Sequence, residues 1–328
     1  MSLKLEQWSR TWPLSEPFVT SNAVDVDVPT VQVRLTDGDG VWGRGEAVGV
    51  PYAGETPVTM GAQIERVRSD VERGISRNDL LQLLPAGGAR HAVDAALWDL
   101  EAKRDGVSPF ACAGVLAAPV DSDCTIGIRS LADYERTARR LSGYRTLKVK
   151  VGGGEAVAAV AAVRRGAPSA RLIVDPNQAW TVDQVKAWSP RLAELGTVLL
   201  EQPVPVGAEG GLDGWTGPVP LAADELVDDV ADLDKAAGRF QVINIKLDKA
   251  GGLTAALRLA DAAEQRGFGL MVGCMNGSSL SMAPAMVLAQ RCRFVDLDGP
   301  LAQSEDWDCA FVYRDGRVAE PHQPQLWG

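Results

Sequence analysis

The stretch TLKVKVGGGEAVAAVAAVRRGAPSARLIVDPNQ occupies residues 146–178 and decides the fold. TLKVKV and RLIVD are short runs of aliphatic residues, which are typical of strands buried on both faces. EAVAAVAAVRR lies between them and is typical of a helix. Because parallel strands need such a crossover, the stretch predicts a βαβ unit.

The same unit recurs through the middle of the chain. The residue that closes each strand-like run follows the one before it by 22 to 27 residues, and the further runs lie at 198–202, 220–224, 242–247, 269–274 and 293–298. Seven units in a row predict an α/β fold, a modified TIM barrel of the (β/α)7β type, with residues 122–128 as a candidate eighth strand. A doubly wound Rossmann sheet is the alternative, but the glycine-rich run after Lys150 is not GxGxxG.

The flanks of this repeat have another pattern. Residues 31–47 alternate around a DGDG turn, which predicts a hairpin, and residues 88–104 have the apolar face of a helix. We therefore predict an α+β capping domain over residues 1–120 and the barrel over residues 121–300. The tail from residue 300 to residue 328 is expected to return to the capping domain.

Composition excludes several classes of function. The chain has 43 acidic and 33 basic residues and a net charge of -10, which argues against nucleic acid and anionic lipid as partners. No apolar stretch is long enough for a membrane helix, and the N-terminus has no secretory pattern. Five scattered cysteines without a CxxC pair fit a reduced, cytoplasmic protein. A homo-oligomer stays open.

Charged residues close five of the strand-like runs: Lys150, Asp175, Glu201, Asp224 and Lys246. The C-terminal strand ends of a βα barrel meet at one mouth, so these side chains are expected to converge there. Oxygen ligands from the three acids suit one Mg²⁺ ion per subunit. The alternative is an internal network of salt bridges among the acids and the lysines.

The lysines suggest proton transfer. A substrate carboxylate on the metal develops negative charge when its α-proton leaves, and the cation stabilises the resulting enolate. Lys148 shares the face of Lys150, so its charge is expected to lower the pKa of Lys150 and make that lysine a base. Lys246 lies four strands later, across the mouth. Bases on opposite sides of one carbon predict a racemase or epimerase.

Together the motifs resemble the enolase superfamily, muconate-lactonizing subgroup, in order and spacing over essentially the whole chain; they are KVK at 148–150, DPNQ at 175–178, EQP at 201–203, ADE at 223–225, NIK at 244–246 and GG at 251–252. The resemblance implies a (β/α)7β barrel under a capping domain. It also implies Mg²⁺ on Asp175, Glu201 and Asp224, with Lys150 and Lys246 as the acid/base pair. Two supporting residues, Asn177 and Glu225, are implied just outside the metal ligands.

The last strand-like run ends in Asp296-Leu297-Asp298. Within the subgroup this pair resembles the dipeptide epimerases, in which it holds the substrate's N-terminal ammonium. An acidic pair and a metal ion can together measure a dipeptide, which carries a cation at one end and a carboxylate at the other. An acidic strand end that caps a loop is the alternative. Residues 84–87, 244–254 and 273–275 are similar to the bacterial L-Ala-D/L-Glu epimerases of murein peptide recycling.

One loop departs from that group. Those enzymes carry an arginine suited to a glutamate side chain, whereas residues 18–28 read FVTSNAVDVDV, with Asp25 and Asp27 and no arginine. If these acids face the site, a neutral or cationic second residue is favoured. If they lie on the outer face of a strand, they have no such effect.

Other activities stay open. N-acylamino acid racemase, o-succinylbenzoate synthase and muconate cycloisomerase share the scaffold, but their substrates lack the free ammonium that Asp296 and Asp298 would hold. A Schiff-base aldolase using Lys150 or Lys246, or a noncatalytic binding barrel, are the alternatives from other classes.

Overall fold

The computed structural model describes residues 2–328. Its N-terminal part is an antiparallel sheet in the order β1-β2-β3, covered on one side by helices. The elements are β1 Lys4–Val19, β2 Val24–Thr36, β3 Trp42–Ala47, α1 Pro57–Arg66, α2 Arg68–Glu72, α3 Arg77–Leu83, α4 Gly88–Asp105 and α5 Pro109–Cys112.

Strand β1 is not among the predicted elements. It pairs with β2 from Lys4 opposite Thr36 to Val19 opposite Val24, and the register shifts between Pro13 and Phe18. Prolines are rare inside strands, so they hide this one from the sequence pattern. The long β1–β2 hairpin carries its tip beyond the sheet and over the second part of the molecule.

The second part is an eight-stranded parallel sheet in the order β12-β11-β10-β9-β8-β7-β6-β5. A hydrogen bond of 2.9 Å from the amide of Asp123 to the carbonyl of Val295 joins its two ends. The predicted (β/α)7β fold is confirmed. Its strands are β5 Cys124–Ile126, β6 Thr146–Lys150, β7 Arg171–Asp175, β8 Thr197–Glu201, β9 Leu221–Ala223, β10 Val242–Lys246, β11 Gly269–Gly273 and β12 Phe294–Val295. The short strand β4 Val120–Asp121 precedes them and lies outside this sheet.

Helices follow the barrel strands: α6 Leu131–Arg140, α7 Ala156–Gly166, α8 Val182–Glu194, α9 Leu233–Ala236, α10 Leu247–Ala250, α11 Leu253–Gln265, α12 Ser279–Ala289 and α13 Gly299–Ala302. Strand β12 is shorter than predicted. The strand ends at Val295, the amide of Asp296 still donates to the carbonyl of Val272 on β11 at 2.9 Å, and Asp296 and Asp298 lie in the segment that leads into α13.

The inside of the barrel has an apolar layer from the N-terminal ends to the middle of the strands: Ile173, Leu199, Ala222, Val242, Met271 and Phe294. Side chains alternate along a strand, so the residue two positions after Ile173, Asp175, points inward at the other end. The apolar layer therefore closes the floor, and the charged residues lie above it.

The C-terminal tail first forms β13 Tyr313–Arg314 and β14 Arg317–Val318, which pair with β4. It then reaches the N-terminal part, where the Trp327 indole donates to the carbonyl of Ala95 at 2.9 Å and Arg44 donates to the carbonyl of Leu326 at 2.8 Å. Within residues 2–328, no helix combines the length and hydropathy required to cross a bilayer.

Candidate active site

A cavity of about 390 Å³ opens at the C-terminal ends of the barrel strands. Strands β6 and β10 bring Lys148, Lys150 and Lys246 to it, and the loop after β12 brings Asp296 and Asp298. All five residues are buried. The β1–β2 hairpin tip and the segment around Tyr52 complete the wall on the side of the N-terminal part.

The three predicted metal ligands are buried beside the lysines. Asp175, Glu201 and Asp224 are at most 1% exposed. Lys150 Nζ donates to Asp175 Oδ2 at 2.6 Å, and Lys246 Nζ donates to Asp224 Oδ2 at 2.7 Å. The structure thus contains the ion pairs that the salt-bridge interpretation requires, and each acid is drawn toward a lysine.

Lys148 is the centre of this network. Its ammonium lies 3.0 Å from Glu201 Oε1, 2.7 Å from Asp296 Oδ2 and 3.1 Å from Asp175 Oδ2. These acids follow or end strands β8, β12 and β7, so one buried cation links three parts of the barrel. The positive charge of Lys148 is shared among these carboxylates. Lys148 therefore balances their negative charge, in addition to lying near Lys150.

Two further residues hold the acids and were not predicted as site residues. Asn244 Nδ2 donates to Glu201 Oε1 at 2.8 Å, and Lys249 Nζ lies 3.0 Å from Asp224 Oδ1. Asn244 shares the inward face of β10 with Lys246, which is a usable signal in the sequence. Lys249 lies in α10 after the strand, and its position inside the protein was not evident from the pattern.

The carboxylates retain capacity for a cation. Glu201 Oε2 and Asp224 Oδ1 are buried and accept no hydrogen bond, although lysine ammonium groups lie 2.8 and 3.0 Å from them. Burial and the charge of Asp175 raise the pKa of Glu201 to about 8. Buried carboxylate oxygens that accept no hydrogen bond are suitable ligands for a hard divalent cation. The set of ligand atoms therefore fits Mg²⁺.

The three acids are not tightly gathered. Among the described residues, the trio whose ligand atoms all lie within 4.8 Å of one another is Cys274, Asp296 and Asp298. The predicted Mg²⁺ set is not such a group: Asp175 contacts Lys150 and Lys148, Glu201 contacts Lys148, and Asp224 contacts Lys246. Divalent binding there requires Asp175 and Asp224 to exchange a lysine contact for the ion.

The environment of Lys246 favours its charged form. Burial alone lowers the pKa of a lysine, but the carboxylates of Asp224 and Glu201 together with Tyr52 outweigh burial and hold the pKa of Lys246 well above its ordinary value. The sequence does not reveal this, because it cannot show which oxygen each ammonium contacts.

The acidic pair of the last loop has two different environments. Asp296 Oδ2 accepts from Lys148, whereas Asp298 Oδ2 accepts from the amide of Thr125 at 2.6 Å. Burial and the charge of Asp296 raise the pKa of Asp298 to about 7. Both acids line the cavity, so neither is a solvated strand end.

Asn177 and Glu225 lie at the rim of the same cavity. The Asn177 amide donates to Asp175 Oδ1 at 2.9 Å, and its side-chain nitrogen donates to Glu225 Oε1 at 3.5 Å. Asn177 has a φ of 46°, a left-handed conformation that asparagine tolerates better than most residues. This turn directs the amide back to the acid that precedes it.

The hairpin tip rests on the rim. Ser21 Oγ donates to the carbonyl of Pro176 at 2.6 Å, and Asn22 Nδ2 donates to the carbonyl of Asn177 at 3.3 Å. Asp25 is on the cavity wall, whereas Asp27 is not among the residues that line it. The sequence leaves open whether these acids face the site, and in the structure Asp25 faces the cavity.

Comparison with known proteins agrees with this architecture. Residues 3–111 match the mandelate racemase/muconate lactonizing enzyme N-terminal domain, and residues 132–324 match the enolase C-terminal domain-like family. The chain is 40% identical to N-acetyl-D-glutamate racemase of Pseudoalteromonas sp., over 87% of this chain and 91% of that protein. It is 37% identical to L-Ala-D/L-Glu epimerase of Escherichia coli (strain K12), over 95% and 98%.

A solved structure is similar throughout. An enolase family member from Agrobacterium tumefaciens, described as homologous to dipeptide epimerases and containing sodium and L-Ala-L-Glu, superposes with a TM-score of 0.96. It shares 39% identity and covers 99% of this chain and 100% of that one. The resemblance read from the motifs is confirmed: this chain belongs to the mandelate racemase/muconate lactonizing enzyme family of the enolase superfamily.

Proposed function

We propose that this protein is a dipeptide epimerase that inverts the α-carbon of the C-terminal residue, with L-Ala-D/L-Glu or a related dipeptide as substrate. The protein is an isomerase, and its relatives include epimerases and racemases.

The observation that best supports this proposal is the placement of Lys150 and Lys246. They end β6 and β10, four strands apart in an eight-stranded barrel, and both line one cavity. An α-carbon held between them has an amine on each side, so one lysine removes the proton and the other returns a proton to the opposite face. That arrangement supports inversion better than a one-base reaction.

Asp175, Glu201 and Asp224 would hold one Mg²⁺. The ion supplies electrostatic stabilisation for negative charge that develops on the substrate's carboxylate. Asn177, Glu225 and Asn244 would keep these acids oriented. Release of Asp224 from its lysine contact would remove the charge that keeps Lys246 protonated.

The other end of the substrate would meet Asp296 and Asp298. Both are buried on the cavity wall. A carboxylate in that place would accept a charge-assisted hydrogen bond from the substrate's ammonium. Asp296 is already paired with Lys148, so Asp298 is the more available partner. A free N-terminus is therefore part of the recognised substrate.

Asp25 bears on the second residue of the dipeptide. It lines the cavity, and no arginine lines the same cavity among the described residues. A glutamate side chain near Asp25 meets like charge, whereas a lysine or arginine side chain meets an opposite charge. Among related dipeptides, a neutral or cationic second residue is favoured.

The test is a library of L-Ala-L-X dipeptides incubated with the enzyme and Mg²⁺ in D₂O and read by mass spectrometry. Epimerisation introduces one solvent deuteron at the α-carbon, and chiral chromatography then separates the two diastereomers. EDTA is expected to abolish both signals. Absence of exchange from every free dipeptide would contradict the proposal.

A second candidate is N-acylamino acid racemase, because one relative is named N-acetyl-D-glutamate racemase. Such a substrate lacks the ammonium that Asp298 would hold. N-acetyl-glutamate and N-acetyl-L-Ala-L-Glu in the same assay separate the two candidates. The aldolase alternative predicts borohydride trapping on a lysine, which an epimerase does not give.

A further inference from the structure

A second group of possible ligands lies across the barrel from β8. Cys274 follows β11, and Asp296 and Asp298 follow the neighbouring strand β12. The sulfur of Cys274 and one carboxylate oxygen from each acid all lie within 4.8 Å of one another. Ligands of a tetrahedral metal ion at bonds of about 2.0–2.3 Å are roughly 3.5 Å apart. Small side-chain rotations therefore gather this trio around one ion.

Asp123 adds an independent observation. It is 1% exposed, and neither of its carboxylate oxygens has a hydrogen-bond partner. It lies at the seam between β5 and β12, where its amide donates to the carbonyl of Val295. The carboxylates of Asp296 and Asp298 are its neighbours. An unpartnered buried carboxyl behind two other acids requires a compensating group.

The ammonium groups that face Asp296 are all shared with other acids. Asp123, Cys274, Asp296 and Asp298 form one cluster, and Lys148 is the ammonium in hydrogen-bond contact with it. Lys148 also donates to Glu201 and lies near Asp175, so its charge is shared outside the cluster. The amide of Thr125 donates a hydrogen bond to one oxygen of Asp298. A dication bound here would be a counter-charge that Asp296 and Asp298 do not share with the acids on β7, β8 and the loop after β9.

We propose that Cys274, Asp296 and Asp298 bind a thiophilic divalent cation such as Zn²⁺, with Asp123 positioned behind the ligands. A sulfur ligand favours a softer ion than Mg²⁺, whereas the all-oxygen acids on β7, β8 and the loop after β9 favour Mg²⁺. Binding deprotonates the Cys274 thiol, and its proton is released to solvent.

This site gives the enzyme a route to inhibition by soft metals. An ion on Asp296 and Asp298 occupies the place assigned to the dipeptide ammonium, so it competes with substrate. That consequence alone rests on the proposed function. Metal binding itself does not, because it is measured without turnover.

The experiment is a Cd²⁺ titration of the whole protein in saturating Mg²⁺, followed by the ultraviolet thiolate-to-cadmium charge-transfer band. We expect one Cd²⁺ per chain with release of protons into a weak buffer. Outer partners of metal ligands typically contribute 10–100-fold in affinity, so Asp123→Asn is expected to weaken Cd²⁺ binding by about that factor. Loss of a direct ligand in Cys274→Ser is expected to exceed about 100-fold and to abolish the band.

Cys309→Ser and Asp224→Asn are the controls, since one removes a cysteine outside the cluster and the other removes a carboxylate of the proposed Mg²⁺ set. Both should retain the band. Asp298→Asn should also weaken Cd²⁺ binding, and its folding is checked by circular dichroism. This second ligand variant keeps the test valid if another single variant misfolds. A missing band in the wild type, a band that survives Cys274→Ser, or displacement of Cd²⁺ by excess Mg²⁺ would overturn the proposal.

Discussion

The Nζ atom of Lys148 lies 2.7 Å from Oδ2 of Asp296 across the seam where the eight-stranded sheet closes. The same ammonium contacts Glu201, so the pair connects the barrel wall to the proposed metal ligands. Both residues are buried, and removal of one partner leaves uncompensated charge inside the protein. Breaking such a pair typically costs about 3–5 kcal/mol.

We therefore expect Lys148→Met to lower the free energy of unfolding by about 3–5 kcal/mol in urea melts. Lys186→Met is the matched control, because Lys186 is exposed on α8. A variant as stable as the control would show that neighbouring lysines or water compensate the three acids that Lys148 contacts.

Lys150 and Lys246 are expected to be equally necessary for the reaction and to act on opposite faces of the substrate's α-carbon. Lys150→Ala and Lys246→Ala should each reduce epimerisation by about 10²–10⁴-fold, the usual contribution of a positioned acid or base. Each variant should still exchange the α-proton of one diastereomer in D₂O, and the two should differ in which one. Lys186→Ala is the control. Full turnover in both site variants would disprove the two-base assignment.

Sequence reasoning predicted the barrel because its repeat is local. Each strand and helix is decided within about 25 residues, and the charged residue that ends each strand is visible in the same window. The convergence of Lys150, Asp175, Glu201, Asp224 and Lys246 at the C-terminal ends of the strands follows from barrel topology alone.

Long-range geometry was not available to that reasoning. Strand β1 is irregular in sequence and is fixed by pairing with β2. The direction of Asp25 depends on how far the hairpin projects, and the partner of Lys148 depends on closure of the sheet. Lys249 reaches Asp224 only because α10 folds back beneath the loop after β9. These contacts join residues that are distant in sequence, so no local pattern reports them.

Asp25 is expected to influence selectivity at the second residue of the dipeptide. Its side chain is exposed on the cavity wall, and exposed ion pairs contribute about 0.2–1 kcal/mol, so the effect is modest. Asp25→Asn should lower the ratio of kcat/KM for L-Ala-L-Lys over L-Ala-L-Glu by roughly two- to fivefold. Asp27→Asn, on the same strand but away from the cavity, should leave the ratio unchanged. An equal change in both variants would indicate a general charge effect.

Mg²⁺ is expected to stabilise the fold through its ligands. At about 100 times its Kd, a ligand that binds only the native state adds about 2.7 kcal/mol to the free energy of unfolding. Wild-type protein should show that gain between EDTA and Mg²⁺ in chemical melts, and Asp224→Asn should lose most of it. Asp234→Asn, which removes an exposed acid, serves as the control. A gain that persists in Asp224→Asn would place the ion elsewhere.

His91 should make stability depend on pH independently of the active site. It is fully buried in α4, neither ring nitrogen has a hydrogen-bond partner, and burial lowers its pKa to about 3. An unfolded histidine has a pKa of about 6.5, so between these values the unfolded state binds more protons and stability falls as the pH falls.

The expected loss below pH 6.5 is about 1.4 kcal/mol per pH unit, or about 3 kcal/mol at pH 4.5. Asp94 opposes this trend, since burial raises its pKa to about 6 and the folded state then binds more protons than the unfolded state from about pH 4 to pH 6. Asp94 is present in both wild type and His91→Leu, so the difference between their urea melts from pH 4.5 to pH 7.5 isolates the histidine. Parallel pH profiles would mean that the ring takes up a proton within the folded protein, in which case the apolar packing around α4 must admit water or a counter-charge.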